Sequence, residues 1–582
     1  MNILGVQDGH NASACLLVDG KLQGAIQEER MVNQKNMPGM PVNAIREILR
    51  NHRDVDEVAL ATNFIHEPSW FRKKGESRFR KQDLWEKNRT DRIINKFSWP
   101  LRRNFDPYFR NRLKERLDLL QGILFPELFP SMDQCPPITV VDHHTAHAAT
   151  AYYGSHYDKE DSVLVLTADG SGDGVSSTVS KGYAGEMERL SETTRGGSVG
   201  ELYSLTTHYL GFRAWEHEYK LMGMAPYSYP DRYIVDQLHK MIQVDYHKAR
   251  FISSMNSDYA YGMLAKLYKK QRFDRICASL QAWFEEIMAN WVISASDMMS
   301  INETPVKLAC AGGTFMNVKG NQVISEREEV EDMFIFPSAG DESTSIGAAM
   351  HVYAKDCLEH GENPKEKIEP ISNLYLGPMD QSSFFVDYKP PEGVEVRESS
   401  PRDVIEWIAE SLAAGDIVAR CSGRCEFGAR ALGNRTIMAK ASDHGITDLL
   451  NASIKHRDFW MPFAPSILEE DQGKLIENPK DLKAKWMIQA FKTTEEGYKQ
   501  LKAATHPYDR TARPQTVDAS NGDYYKILEM FREKSGFSGF INTSFNLHGF
   551  PIVKDAEIAM DTFLKSGLKK MVVGNYAVTK VQ

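Results

Sequence analysis

One pattern occurs twice in this chain and constrains its fold more than any other feature. The first copy runs Ile3-Leu4-Gly5-Val6-Gln7-Asp8-Gly9-His10-Asn11-Ala12-Ser13, continues through Ala14–Val18, and turns at Asp19-Gly20. The second runs Val163-Leu164-Val165-Leu166-Thr167-Ala168-Asp169-Gly170-Ser171-Gly172-Asp173-Gly174, continues through Val175–Ser180, and turns at Lys181-Gly182. Each copy reads as a short apolar strand, an Asp-Gly turn, a second strand, a tight turn and a third strand. A repeat of this kind predicts a duplicated α/β fold with a cleft between its halves.

At 582 residues the chain exceeds what a single hydrophobic core supports. No run approaches the ~20 apolar residues that span a bilayer, and Met1–Asp8 lacks the features of a signal peptide. Seven cysteines, scattered and odd in number, fit a reduced compartment, so the expected location is cytoplasmic. A formal charge of −9 argues against nucleic acid as the main partner. Residues 66–120 interleave aromatic and basic side chains, yet Glu76, Asp83, Glu86, Asp91, Asp106 and Glu115 punctuate them. A solvated helical insertion is the favoured reading there. In the helical block 259–299, Leu280, Trp283, Ile287, Trp291 and Ile293 read as one apolar stripe. The polar stretch His360–Pro370 reads as a linker, which divides the chain into domains at 1–365 and 371–582. Beyond it, a helix over about 402–414 leads into a strand at Asp416–Arg420.

The strongest local chemical signal is Asp142-His143-His144-Thr145-Ala146-His147-Ala148-Ala149. Asp142 is a suitable N-cap, and the alanines favour helix. His143 and His147, four apart, then project from one face and can bind one metal ion. Asp169 and Asp341 are the candidate oxygen ligands. A mixed His/Asp set suits Fe²⁺, Mn²⁺ or Zn²⁺. His144 is left to orient a ligand, and capping and packing histidines are the alternative for all three. Glycine turns recur at Asp8-Gly9-His10-Asn11, at Asp169–Gly174 and at Gly312-Gly313-Thr314-Phe315-Met316-Asn317. Together they favour a cleft for a nucleotide-like ligand, with Gly312, Gly313 and Asn317 as candidate contacts.

The second domain carries Arg424, Arg430, Arg435, Lys440, Lys455, Arg457 and Arg513 among small and polar residues, which suits phosphate oxygens better than surface ion pairing. Asn542-Thr543-Ser544 offers small donors and acceptors after a strand. Cys421 and Cys425 have no second pair and do not make a zinc site.

With these segments, Glu28-Glu29-Arg30, Ser198–Tyr203, Glu218–Tyr227 and Phe459–Pro465, the chain resembles the NodU/CmcH family of O-carbamoyltransferases over nearly its whole length. The resemblance implies an actin/hexokinase-like, metal-dependent N-terminal domain and a YrdC-like C-terminal α/β domain. It implies ATP with Mg²⁺ and carbamoyl phosphate as substrates, carbamoyladenylate as the intermediate, and a small hydroxyl-bearing acceptor such as an antibiotic, toxin or other secondary metabolite. Fe²⁺ is the favoured resident metal, with Zn²⁺ or Mn²⁺ as alternatives, at His143, His147, Asp169 and Asp341. Arg430, Lys455, Arg457 and Arg513 would hold phosphates, Asn542 and Ser544 the adenylate. His10 would act as base, and Lys35 and Lys220 would contact anions in the cleft. A homodimer is compatible with this reading, and neither a membrane nor nucleic acid is implied. Met461 stands before Pro462 where the family usually has Arg, so a phosphate contact there is absent or supplied by Arg457 or Arg510. Asn33 likewise thins the usual basic stretch before Lys35. A small-molecule kinase of the same superfamily is the alternative activity, and a non-catalytic nucleotide switch the second.

Overall fold

The computed structural model describes residues 1–52, 54–61, 117–118, 120–121, 135–299 and 305–581. Apart from 117–118 and 120, the insertion expected at 66–120 lies outside them. The chain forms two compact units: Met1–Gly24 with Pro38–Ile371, and Ala25–Met37 with Ser372–Gln582. Thirteen-residue excursions such as Ala25–Met37 leave no mark in composition, and the sequence did not announce this one.

In the first unit the repeat is realised strand for strand. β1 (Asn2–Gln7), β2 (Ser13–Val18), β3 (Lys21–Gln27), β4 (Glu57–Ala61) and β5 (Ile138–Val141) form a sheet of order β3-β2-β1-β4-β5. β6 (Val163–Gly172), β7 (Val175–Tyr183) and β8 (Glu186–Thr194) open the second copy. A separate ribbon pairs β9 (Ile242–Asp245) with β10 (Arg250–Ser253). β11 (Val306–Ala311) and β12 (Val330–Ile335) complete a sheet of order β12-β11-β6-β7-β8. In each copy the opening strand pairs antiparallel with the next in sequence and parallel with the fourth, which pairs parallel with the fifth. This is a duplicated α/β arrangement, as the repeat predicts.

Hairpin geometry explains both the success and the one slip of the repeat reading. Asp19-Gly20 and Asp173-Gly174 have positive φ at both residues, as two-residue primed turns require. Lys181-Gly182, expected as a turn, lies inside β7 instead, and the turn falls at Ala184-Gly185. Gly182 is there for packing: a Cβ on it would lie 2.4 Å from the Tyr152 ring.

Among the helices of this unit are α1 (His143–Gly154), α2 (Val199–Tyr209), α3 (Phe273–Met299) and α4 (Thr344–Glu359). On α3, Leu280, Trp283, Ile287 and Trp291 are buried, whereas Ile293 is only partly so. Two residues past Trp291 is about 200° of rotation, off the buried face. Glycine lets α4 approach two other elements. A Cβ on Gly347 would meet the Ala146 carbonyl of α1 at 1.9 Å, and one on Gly5 of β1 would meet the Ser345 carbonyl at 2.1 Å.

The expected linker His360–Pro370 is bonded into this unit. The Asn363 amide donates to Ala184 O, and Glu369 N–H donates to Gly20 O. Lys365 Nζ donates to Tyr152 O and Ser155 O at 3.1 Å, capping the end of α1. Its polar composition reflects these contacts, which resemble a linker only in sequence.

The second unit is an α/β/α layer structure. Its sheet comprises β13 (Val394–Glu398), β14 (Val418–Cys421), β15 (Arg435–Ala439), β16 (Ala464–Leu468), β19 (Gln515–Val517), β20 (Gly539–Ser544), β21 (Lys570–Val573) and β22 (Tyr576–Lys580), in the order β13-β22-β21-β14-β15-β20-β16-β19. The short pair β17 (Phe491–Lys492) and β18 (Thr511–Ala512) stands apart. Alternation along the strands separates two cores. Val418, Met438, Leu468, Phe540 and Val572 pack with helices Pro401–Ala413 and Asp523–Ser535. Ala419, Ile437, Ile467, Ile541 and Met571 pack with helix Ala556–Lys565. Among the described residues no helix is long and apolar enough to cross a membrane.

The α1–α4 contact yields a prediction. Gly347→Ala should lower the denaturant midpoint of the first unit by the equivalent of about 1–3 kcal/mol. Gly262→Ala is the control: nothing lies within 4 Å of a Cβ on Gly262, and Ala favours helix by up to about 1 kcal/mol. Equal behaviour of the two variants would remove close helix packing as the role of Gly347.

Candidate functional site

Helix α1 starts where the sequence places it. The Asp142 carboxylate accepts from Thr145 N–H at 2.9 Å, and the Asp173 carboxylate accepts from His143 N–H at 3.0 Å. The first turn therefore has a fixed direction, with His143 and His147 on one face. β6 brings in Asp169 near its end, and the single turn Asp341–Ser343 brings in Asp341 just before α4. One ligand atom from each of these four residues lies within 4.8 Å of the others. His143 Nε2 is 3.2 Å from Asp169 Oδ2 and 3.7 Å from Asp341 Oδ1; His147 Nε2 is 3.3 and 3.8 Å from the same atoms. A Cβ on Gly172 would lie 2.0 Å from the His143 ring, so β6 needs glycine beside that imidazole.

Electrostatics bind the four groups together. Burial disfavours the His143 imidazolium, but Asp341 and Asp169 outweigh it and raise its pKa to about 9. Burial also disfavours the Asp169 carboxylate, yet the two imidazoles hold it well below the usual carboxylate range. Both ring nitrogens of His147, completely buried, lack a hydrogen-bond partner. A buried, unpartnered imidazole facing two carboxylates fits a cation, and two nitrogens with two oxygens suit Fe²⁺, Mn²⁺ or Zn²⁺.

His144 has a different role. Its Nε2–H donates to Val175 O at 3.0 Å, so Nδ1, 2.8 Å from Thr167 Oγ1, is the acceptor. Burial and the neighbouring His143 and His147 lower its pKa to about 3, which keeps it neutral. His144 thus ties α1 to β6 and β7 and does not reach a ligand.

Other expected residues of the first unit fall in distinct places. Gly312, at φ 104°, abuts the Ala168 carbonyl, and a Cβ on Gly313 would sit 3.0 Å from Asp169 Oδ1. This glycine pair wraps the Asp169 strand end. Asn317 accepts from Gly320 N–H as a helix cap and exchanges amide hydrogen bonds with Gln281. Its side chain therefore has a structural role where a nucleotide contact was expected. His10 is partly buried, with the Trp215 ring edge-on at 6.4 Å. Trp215 has φ 66°, rare for a bulky residue, and its N–H donates to the partly buried Glu218 carboxylate at 2.5 Å. Lys220 Nζ lies 5.3 Å from the centre of the Phe212 ring.

The second unit gathers positive charge. Arg513 donates to Met487 O at 3.1 Å, and burial together with Arg430 and Arg457 depresses its pKa. Arg457 donates to Thr543 Oγ1 at 3.1 Å and lies over the Phe463 ring. Lys455, almost fully buried, donates to Ser544 O, Ser544 Oγ and Asn546 Oδ1; burial, Arg457 and Lys35 depress its pKa. Lys35 therefore belongs with this cluster, in the unit containing Ala25–Met37, and not in the cleft of the first unit. Like charges that depress one another in this way favour a bound anion.

Several expected contacts are structural instead. Arg435, fully buried, donates to the carbonyls of Lys554, Ser422, Asn434 and Gly423. Arg424 donates to Gly377 O and Leu376 O, and Lys440 lies over the Phe537 ring. Asn542, 2% exposed, has its amide bonded to Ala431 O, Ser466 Oγ, Gln515 Oε1 and Thr436 Oγ1, joining strands rather than meeting a nucleotide. Arg510 pairs with Glu495 at 2.8 Å. Cys421 and Cys425 are free and buried.

With this geometry established, comparisons with known proteins identify the family. The model of the carbamoyltransferase N-terminus matches residues 2–350, and that of the carbamoyltransferase C-terminus matches 409–580. An uncharacterized protein of Methanocaldococcus jannaschii is 33% identical, over 76% of this chain and 74% of its own. Nodulation protein NolNO of Sinorhizobium fredii is 31% identical, over 79% of this chain and 67% of its own. The 3'-hydroxymethylcephem-O-carbamoyltransferase of Streptomyces clavuligerus is 28% identical, over 42% of this chain and 43% of its own. The two family models between them take in both compact units, and the chain belongs to the carbamoyltransferase family.

Proposed function

We propose that this chain is an ATP-dependent O-carbamoyltransferase acting on a hydroxyl of a small molecule, with the division of labour that its two units suggest. The observation that supports this most is the positive cluster around Arg513, where Arg430 and Arg457 add like charge to a partly buried guanidinium. Such a cluster suits the phosphates of ATP and carbamoyl phosphate, and Lys455, Lys35 and Ser544 extend it. The YrdC-like role that the family resemblance implies for this unit is compatible with that chemistry.

In the first half-reaction, carbamoyl phosphate loses phosphate to water and leaves carbamate. A carbamate oxygen then attacks the α-phosphorus of Mg²⁺-ATP, forming carbamoyladenylate and expelling pyrophosphate. Arg430, Arg457 and Arg513 would offset charge on the transferring group, and Lys455 would hold a phosphate oxygen. In the second, the acceptor oxygen attacks the carbamoyl carbon, the C–O bond to AMP breaks, and a carbamate ester and AMP leave.

His10 would take the acceptor proton, since a neutral imidazole titrates near working pH. Trp215 would limit how the acceptor approaches that ring, and Lys220 would supply positive charge nearby. His143, His147, Asp169 and Asp341 would hold the divalent metal, Fe²⁺ by preference. When bound, it would supply Lewis-acid polarisation and orientation of the carbamoyl group.

Purified protein with ATP should release pyrophosphate only when carbamoyl phosphate is present. ADP formation independent of carbamoyl phosphate would point to a kinase instead. Arg513→Ala should slow carbamoyl-phosphate-dependent pyrophosphate release by about 10²–10³-fold, whereas His143→Ala should leave that step intact and block carbamoyl ester formation. Loss of both steps in a folded His143→Ala protein would contradict the division of labour. By elemental analysis, His147→Ala should retain at least about tenfold less iron, zinc or manganese than the unaltered protein. Unchanged metal content would remove His147 from the ligand set.

A further inference from the structure

The loop that carries Arg430 is constrained from two sides. Glu426, 2% exposed, lies at its start, and one carboxylate oxygen accepts from the backbone N–H groups of Leu432, Asn434 and Arg435 at 2.8, 2.8 and 3.0 Å. A single buried acceptor therefore closes Glu426–Arg435 into a fixed arc. Within the arc, Gly428 has φ 96°, a conformation that favours glycine. Both of its backbone polar groups are held by the segment Ala25–Met37, which belongs to the same compact unit. Gly428 N–H donates to Gln27 Oε1 at 3.1 Å, and Arg30 Nη2 donates to Gly428 O at 2.5 Å. Arg30 Nη2 also lies 3.4 Å from Gln27 Oε1, linking the two side chains.

Both side chains are buried, Gln27 at 5% and Arg30 at 2% exposure. Such groups are normally fully bonded, because each unmade hydrogen bond is costly. Arg30 nevertheless keeps two nitrogens, Nε and Nη1, without a hydrogen-bond partner, with Glu29 Oε1 at 3.8 Å from Nε. A hydrophobic pair of similar size would fill this space without that penalty. What Gln27 and Arg30 provide is an acceptor and a donor matched to the two backbone polar groups of one residue, Gly428, two residues before Arg430. From there the Arg430 charge reaches Arg513.

We propose that Gln27 and Arg30 are positioning residues for the anion site of the second unit. They fix the backbone on both sides of Gly428 and thereby place the Arg430 guanidinium near Arg513. This rests on the reading that the arginine cluster binds phosphate groups. It assigns a function to residues distant in sequence that touch no phosphate themselves.

The test is a double-mutant cycle on the full-length chain, read as the dissociation constant for inorganic pyrophosphate by calorimetry. Gln27→Ala should weaken binding by about tenfold, and Gln27→Glu, which keeps the acceptor oxygen, should restore most of it. Arg30→Lys, which keeps the charge but cannot reproduce the guanidinium geometry, should also weaken binding. In an Arg430→Ala background, Gln27→Ala should have no further effect, since its influence passes through Arg430. Multiplying losses in the double variant would overturn the proposal, as would undiminished binding in Gln27→Ala and Arg30→Lys. If Gln27→Ala fails to fold, Arg30→Lys and its combination with Arg430→Ala decide the matter alone. Failure of the unaltered chain to bind pyrophosphate would sink the phosphate-site reading itself, and this proposal with it.

Discussion

The closeness of helices α1 and α4 is the constraint on which the first unit depends. Asp341 lies just before α4 and His143 begins α1, so the separation of the helix starts sets whether four side chains can share one ion. A side chain at Gly347 or Gly5 would collide with backbone carbonyl oxygen and push α4 away from α1 or β1. Around this contact the other ties fall into place. Ser13, at the start of β2, donates to Glu342 O and lies 2.8 Å from Ser345 Oγ, so the first copy of the repeat holds the turn that carries a ligand of the second. His144, neutral and bonded on both ring nitrogens, fixes the register of α1 against β6 and β7. One His-His-x-x-His run thus supplies two candidate cation ligands and one structural strut.

The second unit solves the opposite electrostatic problem. Buried cations must be held near one another, although desolvation and mutual repulsion both oppose it. The sheet supplies the rigidity. Asn542 links β20 to β15, β16 and β19 through a fully bonded amide, and Ser544 at the end of β20 receives Lys455. Arg435 gathers loop carbonyls so that Arg430, five residues earlier, lies on a supported arc. Arginine therefore appears here in two roles, one turned inward to carbonyls and one contributing to a field of positive charge.

The fold was legible in sequence wherever backbone conformation dictated residue type. Asp-Gly pairs marked primed turns, and Asp142 marked a helix start. Legibility failed where glycine served packing, as at Gly182, because a missing side chain reads the same in a turn and beneath a tyrosine. It failed at His360–Pro370 because polar residues that bond to carbonyls have a linker's composition. The histidine half of the metal-type cluster was readable because its i, i+4 spacing encodes one helix face locally, whereas Asp169 and Asp341 are brought to it by other elements. The division among arginines was not: Arg430, Arg435 and Arg424 occupy one short run, and only the carbonyls around each distinguish them. Glu426, Gln27 and Trp215 went unread for the same reason, since their partners are backbone groups or distant rings that leave no motif.

A net charge of −9 conceals this arrangement. Acidic surface keeps the chain as a whole unattractive to polyanions, while Arg430, Arg457, Arg513, Lys455 and Lys35 concentrate positive potential in one part of one unit. The cluster in the first unit has the converse balance, two carboxylates facing two imidazoles, suited to a cation. A carbamoyl transfer that forms an acyl phosphate-type intermediate and then breaks it needs both environments. On the reaction proposed above, it would need anion stabilisation while pyrophosphate leaves and cation-assisted polarisation while the acceptor attacks. A single site would have to satisfy both at once, and the two requirements oppose each other electrostatically. On that proposal, placing them on two compact units would remove the conflict, because each field is set by its own partners.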